Sequence, residues 1–341
     1  MKTVNVSISL RSIFNIVLIL IIILTLLSFY QILVIVFLGF IISTFYDYVS
    51  NVCFNLYKWN KKLTSVILFF LSLLILGGVF IFLTPSMIDQ GSSLVKIFVN
   101  NILKLDLYLK DNGLNFDLGL QNLESITAGI TNFSQNILSF LLEYLKILGL
   151  FFLVFTIAFY INIDQKSFYN IIKLFSSNQK RKDQIDNIIG KVNVLIGNWI
   201  LIRFIKASLM FLFTMIIFFS LDISYPLFFA TIVGLSEFIP IIGTIFSYII
   251  MLIFAFIKSP LIGILVLISL ILITIIRQIF IDPVLSINQP KLNPLLVIFT
   301  SLSFLIIFGY IGILISTPFI LIIYTIKENL KKFIRKESKI I

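Results

Sequence analysis

Long uncharged stretches constrain the fold of this chain more than any other feature. A helix needs about 20 apolar residues to cross a bilayer, and most of the apolar runs approach or exceed that length. Lipid offers the backbone no hydrogen-bond partner, so spanning segments must be helices or closed barrels. We therefore predict an all-α, polytopic transmembrane helix bundle with about eight membrane segments. These lie at residues 12–28, 31–46, 64–84, 147–163, 204–221, 225–257, 261–281 and 295–326.

The residue types that are rare or missing exclude several classes of function. Histidine is absent and Cys53 is the only cysteine in the sequence. These counts exclude an intrachain disulfide, a His or Cys metal cluster and a Ser-His-Asp triad. The phosphate-binding motif G-x-x-x-x-G-K-[ST] is also missing. We expect no enzymatic activity, no metal and no cofactor, so a gradient or a partner must drive any transport.

The distribution of lysine and arginine predicts the orientation of the helices, because cytoplasmic loops carry an excess of these residues. Seventeen basic residues lie before the first run, after the second, after the fourth and in the tail. By contrast, residues 85–146 hold four basic and six acidic residues. Eight crossings with both termini in the cytoplasm satisfy this pattern. The net charge of +11 is thus an orientation signal, and we expect the lipid bilayer as a partner and no nucleic acid.

The chain divides into two membrane halves. The N-terminal half, residues 1–195, contains an extracytoplasmic insertion at 85–146 and a basic cytoplasmic helix at 164–195. Apolar residues recur at helical spacing in the insertion, which predicts amphipathic helices on the bundle or on the membrane surface. The C-terminal half, residues 196–341, holds nearly all the unusual intramembrane residues and ends in a basic cytoplasmic tail at 327–341.

Two runs in the C-terminal half are too long for one perpendicular crossing, and each is interrupted near its middle. The interrupting residues are Glu237, Pro240 and Gly243 in run 225–257, and Gly309, Gly312, Thr317 and Pro318 in run 295–326. Proline removes a backbone donor and clashes with the preceding turn. Interrupted helices in corresponding positions are typical of transport sites, although a kink in a long tilted helix is the alternative. The charge pattern does not distinguish full crossings from re-entrant hairpins.

Glu237 lies near the centre of the first interrupted run. A charge at that depth costs at least ~2.5 kcal/mol on insertion scales, so a partner or protonation must relieve it. Its candidate partners are Arg203, Lys206 and Arg277. A carboxyl group that alternates between pairing and protonation would couple transport to a proton or cation, whereas a fixed ion pair would only join two helices. Both interpretations stay open. Arg203 and Lys206 are also expected to extend toward the membrane surface.

The stretch IRQIFIDPVLSINQPKLNPLLV, residues 276–297, leaves the seventh run with three polar residues and then contains three prolines. The polar residues are Arg277, Gln278 and Asp282, and the prolines are Pro283, Pro290 and Pro294. Prolines at this density predict a stiff, non-helical connector. The polar residues either belong to a simple loop or line a polar vestibule.

Several of these residues carry a resemblance to a known family. The segment from Gly197 and Trp199 through YPLFFATIVGLSEFIPIIG resembles the signature of the autoinducer-2 exporter-like (AI-2E) family of bacterial membrane permeases. The signature's final stretch is matched by Glu237, Phe238, Ile239, Pro240, Ile242 and Gly243. Further family features are matched by the Pro283–Pro294 spacing, by Arg277, Gln278 and Asp282, and by Gly309, Gly312 and Pro318. The chain departs from the family pattern at Ile287, Asn293 and Arg203.

The resemblance implies a gradient-driven exporter of a small polar solute or signalling molecule in the bacterial cytoplasmic (inner) membrane. It also implies a rival, a sodium (lithium)/proton antiporter, and a homo-oligomer, such as a pentamer. A non-transporting membrane scaffold is the second alternative. We expect Glu237, Arg277, Gln278, Asp282 and Arg203 to carry transport or coupling. The expected hinge residues are Pro240, Gly243, Pro283, Pro294, Gly309, Gly312 and Pro318.

Overall fold

The computed structural model describes residues 29–337 except 79–80, 82–83, 112–136, 175–177, 240 and 288. Helices account for nearly all of these residues, and the described part contains no strand. The α-helices are α1 Tyr30–Tyr57, α2 Lys61–Gly78, α3 Thr84–Asp111, α4 Ile137–Ile163, α5 Gln165–Lys173, α6 Gln179–Ser220, α7 Pro226–Ser236, α8 Ile242–Lys258, α9 Pro260–Ile276, α10 Asp282–Leu285, α11 Pro294–Phe308 and α12 Tyr310–Glu337. A π-helix, Arg277–Ile281, joins α9 to α10. The predicted non-helical connector at 276–297 is therefore wrong for its first part, because Pro283 lies in the first turn of α10, where a proline's missing N–H costs no helical hydrogen bond.

The predicted polytopic helix bundle is confirmed. Six helices of the described part are long and apolar enough to cross a membrane. They are Tyr30–Tyr57, Lys61–Gly78, Leu145–Ile163, Arg181–Ser220, Pro260–Leu285 and Tyr310–Asn329. Three shorter apolar helices, α7, α8 and α11, belong to the two interrupted runs. The run predicted at 12–28 lies outside the described residues.

The first interrupted run folds back on itself as a helical hairpin. Its helices α7 and α8 are antiparallel, and the turn lies between Ser236 and Ile242. The Ser236 and Ser247 hydroxyl oxygens are 3.2 Å apart across the hairpin. Farther from the turn, the rings of Phe229 and Phe254 have centroids 5.5 Å apart. Gly243 permits this approach, because a Cβ there would lie 2.2 Å from the Ser236 carbonyl oxygen.

The second interrupted run forms a similar hairpin from α11 and α12. The Ser301 and Ser316 hydroxyls are 2.9 Å apart, and a Cβ on Gly312 would lie 2.0 Å from the Phe304 carbonyl oxygen. The turn is at Gly309, whose φ of +67° favours glycine. In both hairpins the returning helix therefore presents the pattern Gly-x-x-x-Ser to a serine of the first helix.

The helix break in the second run is at Gly309 and not at Pro318. Pro318 lies inside α12, and the helix continues past it to Glu337. A proline removes one backbone donor, but a helix surrounded by other helices can accommodate this loss as a local adjustment. Pro318 therefore does not mark a turn of the chain.

The two hairpins enter the bundle from opposite ends. Lys258 at the end of α8 pairs with Asp222, which follows α6, at 3.5 Å. The first hairpin therefore opens at the Ser220 end of α6. Near the other end of α6, Lys191 donates to Asn329 of α12 at 2.5 Å. The second hairpin therefore opens at the Gln179 end.

Helix α6 is longer than the sequence pattern suggested. The predicted basic helix at 164–195 and the predicted span at 204–221 overlap one continuous helix of 42 residues, Gln179–Ser220. The change from polar to apolar residues does not stop this helix, because the segment contains no proline. The preceding α5 is separate, and the Asp164 carboxylate caps its first turn by accepting from the Ser167 N–H at 3.2 Å. The division into halves at 195/196 falls within α6 and stays a prediction.

The described part of the insertion packs against the first hairpin. Helix α3 contacts α7 and α8, and its Phe98 ring lies 6.2 Å from that of Phe254. The rest of the insertion, residues 112–136, lies outside the described residues.

Candidate functional site

The interruption of the first hairpin contains a buried ion pair. Glu237 follows the last residue of α7 and is only 3% exposed. Its Oε1 accepts a hydrogen bond from Arg277 Nη1 at 2.7 Å. A carboxylate buried among helices must be paired, because its desolvation costs several kcal/mol. Of the three partners expected from the sequence, the structure assigns Arg277 to the carboxylate.

Arg203 of α6 binds a backbone carbonyl oxygen that has no helical partner at the interruption. Its Nη1 donates to the backbone carbonyl oxygen of Glu237 at 3.2 Å, and its guanidinium lies 5.4 Å from the centroid of the Trp199 ring. A carbonyl at a helix end has no helical partner, so this side chain replaces the missing donor. The stacking on Trp199 adds a cation–π contact.

A second ion pair lies one turn further along α6. Lys206 Nζ is 2.6 Å from Asp282 Oδ1. Lys206 is only 9% exposed, so its ammonium group lies in the interior and does not extend to the surface as expected. Together Arg203, Lys206, Glu237, Arg277 and Asp282 form the charged cluster.

A π-helical turn brings two members of the charged cluster to the same side of their segment. The Asp282 N–H donates to the Arg277 carbonyl oxygen, so the five-residue spacing seen in the sequence equals the span of a π-helical hydrogen bond. Arg277 then reaches Glu237 while Asp282 reaches Lys206. π-helical turns are frequent at functional sites.

Two cavities adjoin the charged cluster. The first, of about 500 Å³, is lined by Arg277 and Glu237 together with polar residues of α8 and α9, namely Thr244, Tyr248 and Thr274. The second, of about 630 Å³, extends from Asp282 toward Thr317 and the start of α11. Four residues line both cavities and so separate them: Arg203, Lys206, Ile241 and Asp282.

Ile241 occupies a strained backbone conformation at this partition. Its φ is +69° and its ψ is −61°, a region that is costly for a β-branched residue. Such outliers concentrate at functional and switch regions, where the surrounding structure holds them in place. Here the strain lies in the turn of the first hairpin, between the two cavities.

The remaining predicted residues have different positions. Pro283 and Pro294 line the second cavity, and the Asn293 side chain caps α11 by accepting from the Leu295 N–H at 2.9 Å. Gln278 is exposed and lines neither cavity. Pro240 lies outside the described residues.

Sequence reasoning missed several residues of the site. It did not predict that Lys206 pairs with Asp282, nor that Ile241, Thr244, Tyr248 and Thr274 line the cavities. The three-residue spacing of Arg203 and Lys206 on one helical face was a usable signal. Within the described residues, no group of three or more acidic, histidine or cysteine side chains converges as a metal site would require.

A helix bundle with several candidate membrane spans, two interrupted hairpins and a charged interior is typical of membrane transporters. The sequence matches the family described as AI-2E family transporter over residues 14–332, nearly the whole chain. The chain therefore belongs to the AI-2E transporter family, as its motifs indicated. Comparison with curated proteins gave no match.

Proposed function

We propose that the protein exports a small polar solute or signalling molecule, driven by a gradient, and that the solute passes the charged cluster. One observation carries this proposal. The five charged side chains are grouped at the interruption of the first hairpin and border two cavities. Charged residues inside a membrane bundle are costly and typically mark a substrate or ion path.

The two cavities are suited to form one solute path that is closed between them by the residues they share. Lys206, Asp282 and Ile241 line both cavities, so we expect the Lys206–Asp282 pair and the turn at Ile241 to separate when a solute passes. A polar solute can supply replacement hydrogen bonds to the lysine and the carboxylate while they are apart, which lowers the cost of opening. The two hairpins enter from opposite ends of the bundle, so each is suited to open one side.

Sodium (lithium)/proton antiport is the alternative, and the burial of Glu237 favours it. A buried carboxylate can exchange a proton for a cation when its environment changes. However, Glu237 and Asp282 are each bound to a cationic side chain. A sodium ion would first have to displace Arg277 or Lys206, which makes the solute proposal the stronger of the two.

Flux measurements in proteoliposomes test these proposals. The purified protein is reconstituted, sodium and proton gradients are imposed, and uptake of radiolabelled L-lactate and glycerol is followed together with internal pH. Wild type is compared with Glu237→Gln and with the control Asp183→Asn, which removes an acid near the start of α6.

If the protein is an exporter, we expect gradient-dependent solute flux in the wild type. This flux should fall at least tenfold in Glu237→Gln and be unchanged in the control. Sodium-dependent proton movement without solute flux would establish antiport instead. The absence of any flux in the wild-type protein would contradict transport and favour the scaffold alternative. Equal ion-coupled flux in wild type and Glu237→Gln would exclude a coupling role for this residue.

A further inference from the structure

We infer that the second cavity binds the anionic group of a small organic solute, with Arg203 and Lys206 attracting the charge and Thr317 binding a neighbouring polar group. This inference names the solute class for the proposed transport path and rests on that proposal. It depends on the charge balance, the unpaired polar atoms and the lining of the cavity.

The charge of the site favours an anion. Three cationic side chains, Arg203, Lys206 and Arg277, face two carboxylates, Glu237 and Asp282. Each carboxylate already has a cation within 2.7 Å. Arg203, by contrast, forms no direct ion pair with any described residue: it donates to a neutral backbone carbonyl and lies over an aromatic face. The cluster therefore carries one more positive than negative charge, and a bound anion would balance it.

Two buried polar atoms without hydrogen-bond partners among the described residues belong to side chains that line the second cavity. The Thr317 side chain lines the second cavity and is only 3% exposed, yet its hydroxyl has no hydrogen-bond partner. Arg203 Nε, also buried, has none either. Buried polar groups nearly always have partners, so such atoms require an explanation. A ligand that accepts from both residues provides one.

The lining of the second cavity limits what the rest of the solute can be. The second cavity is lined by three cationic side chains, Arg203, Lys206 and Lys291, and by one carboxylate, Asp282. The rest of its lining combines the polar residues Ser286, Gln289 and Thr317 with prolines and apolar side chains, such as Leu292 and Val297. A cavity of about 630 Å³ accommodates a small molecule. The site therefore suits a small solute with one anionic end and further hydrogen-bonding groups, such as a hydroxyl or a carbonyl.

An intrinsic fluorophore reports on this cavity. The sequence contains two tryptophans: Trp199 lines the second cavity, and Trp59 is exposed on the loop before α2. In a Trp59→Phe background, fluorescence therefore comes from Trp199 alone. L-lactate and inorganic phosphate are titrated separately in place of chloride at constant ionic strength, and glycerol is titrated as the neutral comparison.

We expect a saturable change of Trp199 fluorescence with at least one of the two anions and none with glycerol. The comparison of lactate with phosphate decides whether a carboxylate or a phosphate is preferred. Arg203→Gln should weaken the binding at least about tenfold, because a charged hydrogen-bond donor is lost. Thr317→Val should weaken it about fivefold, because it keeps the shape and removes only the hydroxyl. The control Lys166→Gln removes an exposed charge from α5 and should bind as wild type.

The inference is overturned if neither anion gives a saturable response, if glycerol responds like lactate, or if Arg203→Gln and Thr317→Val bind like the parent. The flux assay separates this failure from that of the proposed function. Lactate binding without any flux would support the binding site and contradict transport. Equal flux of glycerol and lactate, without anion binding, would support transport and contradict the proposed binding site.

Discussion

Arg277 Nη1 and Glu237 Oε1 lie 2.7 Å apart although 40 positions separate the two residues in the sequence. The contact joins the turn of the first hairpin to the end of α9, where the π-helix begins. It holds the interruption of one helix against the irregular end of another. The charged cluster is thereby fixed between two segments that are not regular α-helix.

Removing one member of this pair should cost far more stability than removing both charges. Breaking a buried ion pair leaves an unpaired charge, and such changes destabilise by about 3–5 kcal/mol. We expect Glu237→Gln and Arg277→Gln each to lower the thermal unfolding midpoint in detergent, and the double variant to recover a large part of that loss. The double variant should still fail to transport, although its stability is largely restored. Additive losses in the double variant would show that the pair is not coupled.

The stability of the two hairpins should depend on the glycines at which their helices approach each other closely. Gly243→Ala and Gly312→Ala place a Cβ 2.2 Å and 2.0 Å from backbone carbonyl oxygens, so we expect a loss of ~1–3 kcal/mol from overpacking. Gly149→Ala and Gly190→Ala are matched controls, because a Cβ there meets nothing within 4 Å. Those variants should be neutral or gain up to ~1 kcal/mol of stability from higher helix propensity. Similar melting curves for all four variants would contradict the hairpin packing.

The strain at Ile241 should be separable from its role in the partition. Ile241→Gly relieves the positive φ and Ile241→Ala does not, so the glycine variant should be more stable than the alanine variant by ~1–2 kcal/mol. Both variants remove the side chain between the two cavities, and both should raise passive solute leak in proteoliposomes. Equal stabilities would argue against strain at this residue, and unchanged leak would argue against the partition.

Much of this architecture was predictable because apolar length and interrupting residues are local signals. The runs predicted the helix bundle, and Glu237 and Gly243 marked the first interruption correctly. The second interruption was predicted in the correct run, and the structure assigns it to Gly309, whose backbone has a positive φ. Pro318 gave the same kind of signal but lies within a continuous helix. A proline signal therefore has to be weighed against the packing around it.

The pairing of charges could not be read from the sequence. Glu237 had three possible cationic partners, and the choice among them depends on how α6 and α9 are placed around the first hairpin. The Lys206–Asp282 pair depends on the same placement and on the π-helical turn. Ile241 lies in the turn of the first hairpin, and this turn places its side chain in the lining of both cavities.

A solute path along the charged cluster requires that water reach both cavities, and cysteine labelling measures this access. In a Cys53→Ser background, single cysteines replace Thr244 in the first cavity, Ser286 in the second, and Ser269 of α9, which lines neither cavity, as the control. A membrane-impermeant thiol reagent is applied to sealed vesicles of each orientation. We expect rapid labelling at positions 244 and 286, with protection by a transported solute, and no labelling at 269. Labelling at 269 equal to that at 244 and 286, or none at 244 and 286, would contradict a solute path along the charged cluster.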